Sequence, residues 1–96
     1  MNGLNILRQQ REALLAAAAR HHASNVRVFG SVLRGEDGPD SDIDLLVDFA
    51  QEASLFDLLA LQEEVTRLTG HRADIVTAES LSIFLRPRIL ASAQPL

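Results

Sequence analysis

Residues 26–49 read VRVFGSVLRGEDGPDSDIDLLVDF, and the rest of the chain is read outward from this stretch. Two apolar runs, Val26–Phe29 and Ile43–Phe49, bracket a polar segment. The first run ends in Gly30-Ser31 and the second opens on Asp42-Ile43-Asp44, with ten residues between Ser31 and Asp42. Val26–Phe29 and Asp42–Phe49 have the composition of strands. Gly38-Pro39-Asp40-Ser41 is dense in turn formers and marks Glu36–Ser41 as a loop. A short helical turn is expected over Gly30–Gly35.

Side chains alternate along a strand, so Asp42 and Asp44 share one face with Ile43 on the other. Two carboxylates about 4 Å apart repel by on the order of 4 kcal/mol at an effective dielectric near 20. A shared proton, a basic partner or a cation must relieve that repulsion. Mg²⁺ suits such a pair, because it takes one or two carboxylates together with substrate phosphates. Gly30 lets the backbone approach a ligand closely. Backbone N–H groups and the Ser31 hydroxyl can then hold phosphate oxygens. Arg34, one turn on, either adds charge-assisted bonds to a phosphate or neutralises the acids. The residue types together read as a site for a metal-bound nucleoside triphosphate. Taken singly, Gly30-Ser31 is also an ordinary strand-ending turn and Ser41-Asp42 ordinary turn chemistry.

Gly30-Ser31 followed after ten residues by Asp42-Ile43-Asp44 resembles the signature of the polymerase-β-like nucleotidyltransferases. The fuller pattern FGSVLRGE…SDIDLLVDF is similar to the minimal nucleotidyltransferase proteins of bacteria and archaea, whose members act as antitoxins to HEPN-domain toxins. The resemblance runs over roughly Asn25 to Ile89. It implies an α+β fold, a short mixed sheet with flanking helices, in which one sheet face carries the acids.

The chain has 96 residues and is expected to be one domain, 1–96, with a single core. Hydrophobic residues make up 47% and charged residues 23%, the balance of a soluble globule. A net charge of −4, with nine arginines and no lysine, argues against a nucleic-acid surface. Absence of cysteine removes disulfides and thiolate metal sites. The longest apolar run, Ala13–Ala19, is too short to span a bilayer. No basic-then-apolar leader opens the chain. The expected location is the cytoplasm.

Leu4 to about His22 is rich in helix formers, with a stripe of Leu4, Leu7, Leu14, Leu15 and Ala18. His21 and His22 read as a solvated last turn rather than a metal site. Asn25 opens a turn. Asp48 follows the alternation of Asp42 and Asp44 but lies far along the strand, as a peripheral charge. Ser54 and Asp57 have capping-box spacing ahead of a helix that Gly70 ends. Its stripe is Leu58, Leu61, Val65 and Leu68, widened by Leu55 and Leu59. Arg72–Thr77 reads as a third strand. Ser80 is placed to cap a further helical turn, Pro87 starts or interrupts a last helix over about Arg88–Ala93, and Gln94-Pro95-Leu96 is a tail. In the Leu81–Leu90 region, Arg86 and Arg88 sit among apolar residues, and helix packing explains that mixture before docking does.

Asp74 stands in an otherwise apolar strand, and a carboxylate is seldom buried there unpaired. If this strand lies beside the Asp42–Phe49 strand, Asp74 meets Asp42 and Asp44 on one face. Otherwise it is an edge-strand surface acid, paired to Arg72 or Arg34. The resemblance implies the first: a third acid that helps bind the metal and takes or orients the proton of the attacking hydroxyl.

The expected chemistry is transfer of AMP from ATP. The β- and γ-phosphates lie at Gly30, Ser31 and Arg34. Mg²⁺ (two ions) is held by Asp42, Asp44 and Asp74, and pyrophosphate departs. About 20 residues follow the Asp74 strand, so a partner is expected to bring the acceptor. The resemblance implies that this partner is a HEPN ribonuclease toxin modified on a tyrosine hydroxyl. The alternative is a non-catalytic antitoxin that occludes the toxin, with a vestigial or regulatory nucleotide site. Nucleotidylation of RNA or of an antibiotic is disfavoured by the acidic balance. No direct nucleic-acid or membrane partner is expected.

Overall fold

A computed structural model describes residues 2–96. Its elements run α1 (Gly3–Gln9), α2 (Arg11–Arg20), β1 (Ala23–Phe29), α3 (Gly30–Arg34), β2 (Ile43–Phe49), α4 (Leu55–Thr69), β3 (Ala73–Val76), a 3₁₀ turn (Ala78–Ser80), α5 (Arg86–Ser92) and β4 (Gln94–Pro95). The sheet order is β3-β2-β1-β4. β1 runs antiparallel to both β2 and β4, while β2 and β3 are parallel. This is the mixed α+β sheet with flanking helices that the sequence predicts.

Alternation along β2 sets the layers. Ile43, Leu45 and Val47 turn to one face and are buried with Leu7, Leu14, Ala17, Ala18, Leu61, Val65 and Ile75. Burying a Leu or Val side chain contributes roughly 1.5–3 kcal/mol, so this layer of α1, α2 and α4 holds the sheet in place. Asp44, Leu46 and Asp48 take the other face. Leu46 is also fully buried, so both faces of β2 are covered at its centre, as its near-continuous apolar run predicts.

Several local expectations change. The single N-terminal helix is two, because Gln10 leaves the helical region at φ −99°, ψ 14°. Gly3 then packs against α3, where its N–H donates to Asp37 Oδ2 at 2.9 Å and an added Cβ would lie 3.1 Å from Val32. β1 begins three residues earlier than the sequence suggests. Asn25 lies within the strand, at φ +52°, where the register with β2 shifts between Ser24 and Arg27. That bulge lets Asn25 and Arg27 both donate to Asp48, each at 2.9 Å, which gives the peripheral acid its partners. The expected tail is a strand. Val28 pairs with Gln94, Leu96 N–H donates to Val26 at 2.9 Å, and Arg11 Nε donates to the Leu96 carbonyl at 2.7 Å. Ser80 closes its 3₁₀ turn while Thr77 caps it.

The Ser54–Asp57 capping box forms. Leu61 and Val65 are buried in α4, but Leu55 is 67% and Leu59 51% exposed, so they do not widen the buried stripe. Their face of the first turn has nothing packed over it. His22 is exposed, but His21 is half-buried: its ring meets Glu64 and ties α2 to α4. Among the described residues, no helix is long and apolar enough to cross a membrane.

Candidate active site

β1 delivers Gly30 to the edge of the acid face. Gly30 has φ +78°, a region L side chains rarely adopt. A Cβ there would lie 2.3 Å from Asp44 Oδ2. Glycine is thus required twice, for the backbone turn and for the carboxylate that fills the space beside it. Ser31 follows at the start of α3, half-buried, and Arg34 closes the helix, exposed.

Strand pairing sets the acids. Phe29 is registered against Asp44, and Asp44 against Asp74 on β3. Residues in register on neighbouring strands share a face about 4.8 Å apart in the pairing direction. Asp44 is therefore flanked by the Phe29–Gly30 turn on one side and by Asp74 on the other. Asp42 lies just ahead of β2, exposed, beside a cavity of about 320 Å³ that it shares with His71 and Arg72. Asp74 is exposed on the edge strand. Among the described residues, none of the three acids makes a side-chain hydrogen bond or ion pair. Asp74 pairs with neither Arg72 nor Arg34. Arg34 Nε instead donates to Glu36 Oε2 at 3.1 Å.

The electrostatics follow from this placement. Burial pushes the Asp44 carboxyl up to about 6, the charges of Asp74 and then Asp42 add to that, and the Arg34 guanidinium pulls the other way. A cation beside Asp44 would reverse the penalty.

The donor set allows a metal in one respect and not in another. Among the described residues, no three His, Cys, Asp or Glu side chains are gathered as a ready metal cage. Asp44 and Asp74, adjacent and unpartnered, nevertheless fit a hard ion that takes one or two carboxylates and completes its shell with water and phosphate.

A cavity of about 440 Å³ adjoins this turn. Gly30 and Arg34 line it from the motif side, Leu85, Arg88 and Ile89 from α5 and the loop before it. The sequence gives no sign of that approach, since more than 50 residues separate Arg34 from Arg88. Ile83, Phe84 and Leu85 are 70%, 83% and 51% exposed. Helix packing therefore does not account for these three apolar residues of the Leu81–Leu90 region.

Comparison with known proteins gives a consistent result. The model of the nucleotidyltransferase domain family matches residues 7–95. A candidate protein adenylyltransferase of Methanocaldococcus jannaschii is 38% identical over 74 residues, covering 77% of this chain and 80% of that protein. Protein adenylyltransferase MntA of Thermococcus cleftensis is 39% identical over 71 residues, covering 74% and 72%. The solved structure of a candidate minimal nucleotidyltransferase superposes with a TM-score of 0.88 at 48% identity, over 100% of this chain and 97% of that one. A chain in the crystal structure of a toxin–antitoxin with AMP-PNP superposes with a TM-score of 0.72 over 91% of this chain and 69% of its own. Its identity is 21%, so it speaks for the fold alone.

Proposed function

This chain belongs to the nucleotidyltransferase domain family and is of its minimal type, and from that premise we propose that it is an antitoxin that transfers AMP from ATP to a tyrosine hydroxyl of a HEPN ribonuclease toxin. The observation that carries the reading is the registered pair Asp44–Asp74, without partners, beside a turn at which the Asp44 carboxylate leaves room only for glycine. The names of two relatives, both protein adenylyltransferases, support a protein as the acceptor.

In this mechanism the Gly30 and Ser31 backbone N–H groups and the Ser31 hydroxyl orient the β- and γ-phosphates, with Arg34 against their charge. Mg²⁺, when bound, would be held by the Asp44–Asp74 pair, with Asp42 contributing from just ahead of β2, and would neutralise the triphosphate and polarise the acceptor. The acceptor oxygen bonds to the α-phosphorus in line, and the bond to the bridging oxygen of pyrophosphate breaks. Asp74 takes the hydroxyl proton and passes it to water. Its exposed edge position suits an acceptor carried on another protein, since such a group must reach it from outside. An added AMP places bulk and negative charge where the toxin would bind RNA.

Intact mass spectrometry of the cognate toxin, incubated with this protein, Mg²⁺ and ATP, tests the proposal. One or more added AMP masses are expected, absent with the Asp42→Ala/Asp44→Ala variant. A stable complex with no mass gain overturns it and favours the second reading, inhibition by occlusion. The observation on that side is the exposed apolar set Phe56, Ile83 and Phe84, at 82%, 70% and 83%, which a bound protein would cover.

A further inference from the structure

Arg86 and Arg88 are two residues apart on α5, and their surroundings differ. Arg86 Nε donates to the Ala78 carbonyl at 2.7 Å and Nη2 to the Leu81 carbonyl at 3.1 Å. It fastens the 3₁₀ turn and the loop after it onto α5, which is a structural role. The Arg88 side chain makes no hydrogen bond or ion pair among the described residues. It lines the cavity of about 440 Å³ beside the motif, opposite Gly30 and Arg34. No acidic side chain lines that cavity. Two guanidinium groups thus share one cavity without a carboxylate in its wall, next to the turn where the triphosphate is proposed to sit. Leu85 and Ile89 supply the apolar part of its wall.

We infer that Arg88 is a phosphate-binding residue that holds the terminal phosphates of the nucleoside triphosphate from the side opposite Arg34. The inference rests on the nucleotidyl-transfer reading and adds a residue to it. Guanidinium is the suitable group, because its planar fork matches phosphate oxygens and it carries charge at every working pH. Its position on α5 ties the nucleotide to the C-terminal segment, which Arg86 holds in place and β4 pins to β1. The same contact would neutralise the charge that builds on pyrophosphate as it leaves.

Calorimetric titration of the full chain with AMP-PNP, ADP and AMP in Mg²⁺ provides the test, for the native protein, Arg88→Ala and Arg88→Lys. Arg88 is exposed on one turn of a surface helix, so the variants are expected to melt with the native protein. Arg88→Ala is expected to weaken AMP-PNP by roughly ten- to a hundred-fold, the range of a lost hydrogen bond to a charged group, and to leave AMP within two-fold. Arg88→Lys should restore part of the loss, since the charge returns without the fork. Unchanged AMP-PNP affinity in Arg88→Ala overturns the inference while leaving nucleotidyl transfer standing. Equal losses for AMP and AMP-PNP also overturn it, because they indicate a disturbed helix rather than a phosphate contact. A native protein that binds none of the three ligands removes the nucleotidyl-transfer reading itself, and the inference with it.

Discussion

On the helical layer, Glu64 meets Arg20 at 2.6 Å, Arg67 at 3.2 Å and the ring of His21, and Asp57 accepts the Ser54 N–H at 2.9 Å. On the acid face, Asp44 and Asp74 stand side by side and meet no cation or donor among the described residues. The Arg20 hydrogen bond holds Glu64 below the ordinary range of a glutamate, and the Ser54 N–H does the same for Asp57. Burial pushes Asp44 the other way, to about 6. The difference separates two uses of a carboxylate. One set is satisfied within the fold and joins α2 to α4. In the other, Asp44 is costly to the fold as it stands, and the pair suits a ligand that brings positive charge.

The sharpest break between the two sets is expected in activity. Asp44→Asn should lower AMP transfer by on the order of 10²–10³-fold, the usual effect of removing one preorganised electrostatic group. Glu64→Gln should leave transfer within about two-fold. Single-turnover rates on folded variants decide it, and a comparable loss in Glu64→Gln would erase the distinction.

Gly30→Ala tests whether the turn and the Asp44 carboxylate are one construction. The left-handed backbone and the close approach to Asp44 Oδ2 predict a loss of about 1–3 kcal/mol in urea unfolding. A double variant with Asp44→Ala should lose less than the sum of the two, because the clash partner is gone.

Acid should move the two regions in opposite directions. Asp44 binds its proton more tightly in the folded, metal-free protein than in the unfolded chain. Its contribution to stability therefore falls as pH rises from about 4 to about 6, and the cost is complete above 6. Asp44→Asn should stabilise the fold at pH 7 by about 1 kcal/mol in thermal melts, after allowance for solvent screening of a half-exposed group, and leave stability unchanged below pH 4. Glu64 has a lowered value. The stability it adds is present above its unfolded value of 4.5 and is lost as pH falls through its folded one. The smallest effect belongs here: Glu64→Gln should cost about 0.5–1 kcal/mol at pH 7 by thermal melts, the size of a surface ion pair.

What could be read ahead of the structure was local. The short apolar runs on either side of Glu36–Ser41, the glycine at the end of the first run and the Ser54–Asp57 cap each depend on residues a few positions apart. The Gln10 break was not readable, because it lets α1 dock through Gly3 on Val32 and Asp37, a long-range contact that the helical period ignores. The C-terminal strand was not readable either. Gln94-Pro95 has no strand composition, and only the open edge of β1 makes it one. Leu55 and Leu59 sit at helical spacing with the buried stripe, yet spacing names a face without saying whether anything covers it.

The sequence by itself determined the mixed α+β character, the GS-then-DxD motif and the residue types from which a phosphate and metal site can be built. Only the tertiary structure decided that Asp74 stands in register with Asp44, that Asp42 lies outside the strand, that His21 answers Glu64, and that Arg88 reaches the cavity beside Gly30. The reason is that backbone preference and side-chain alternation act over a few residues. Register, burial and charge pairing are set by which distant segments pack together, and in this chain one parallel strand pair brings Asp74 to Asp44 and one C-terminal helix brings Arg88 to the motif.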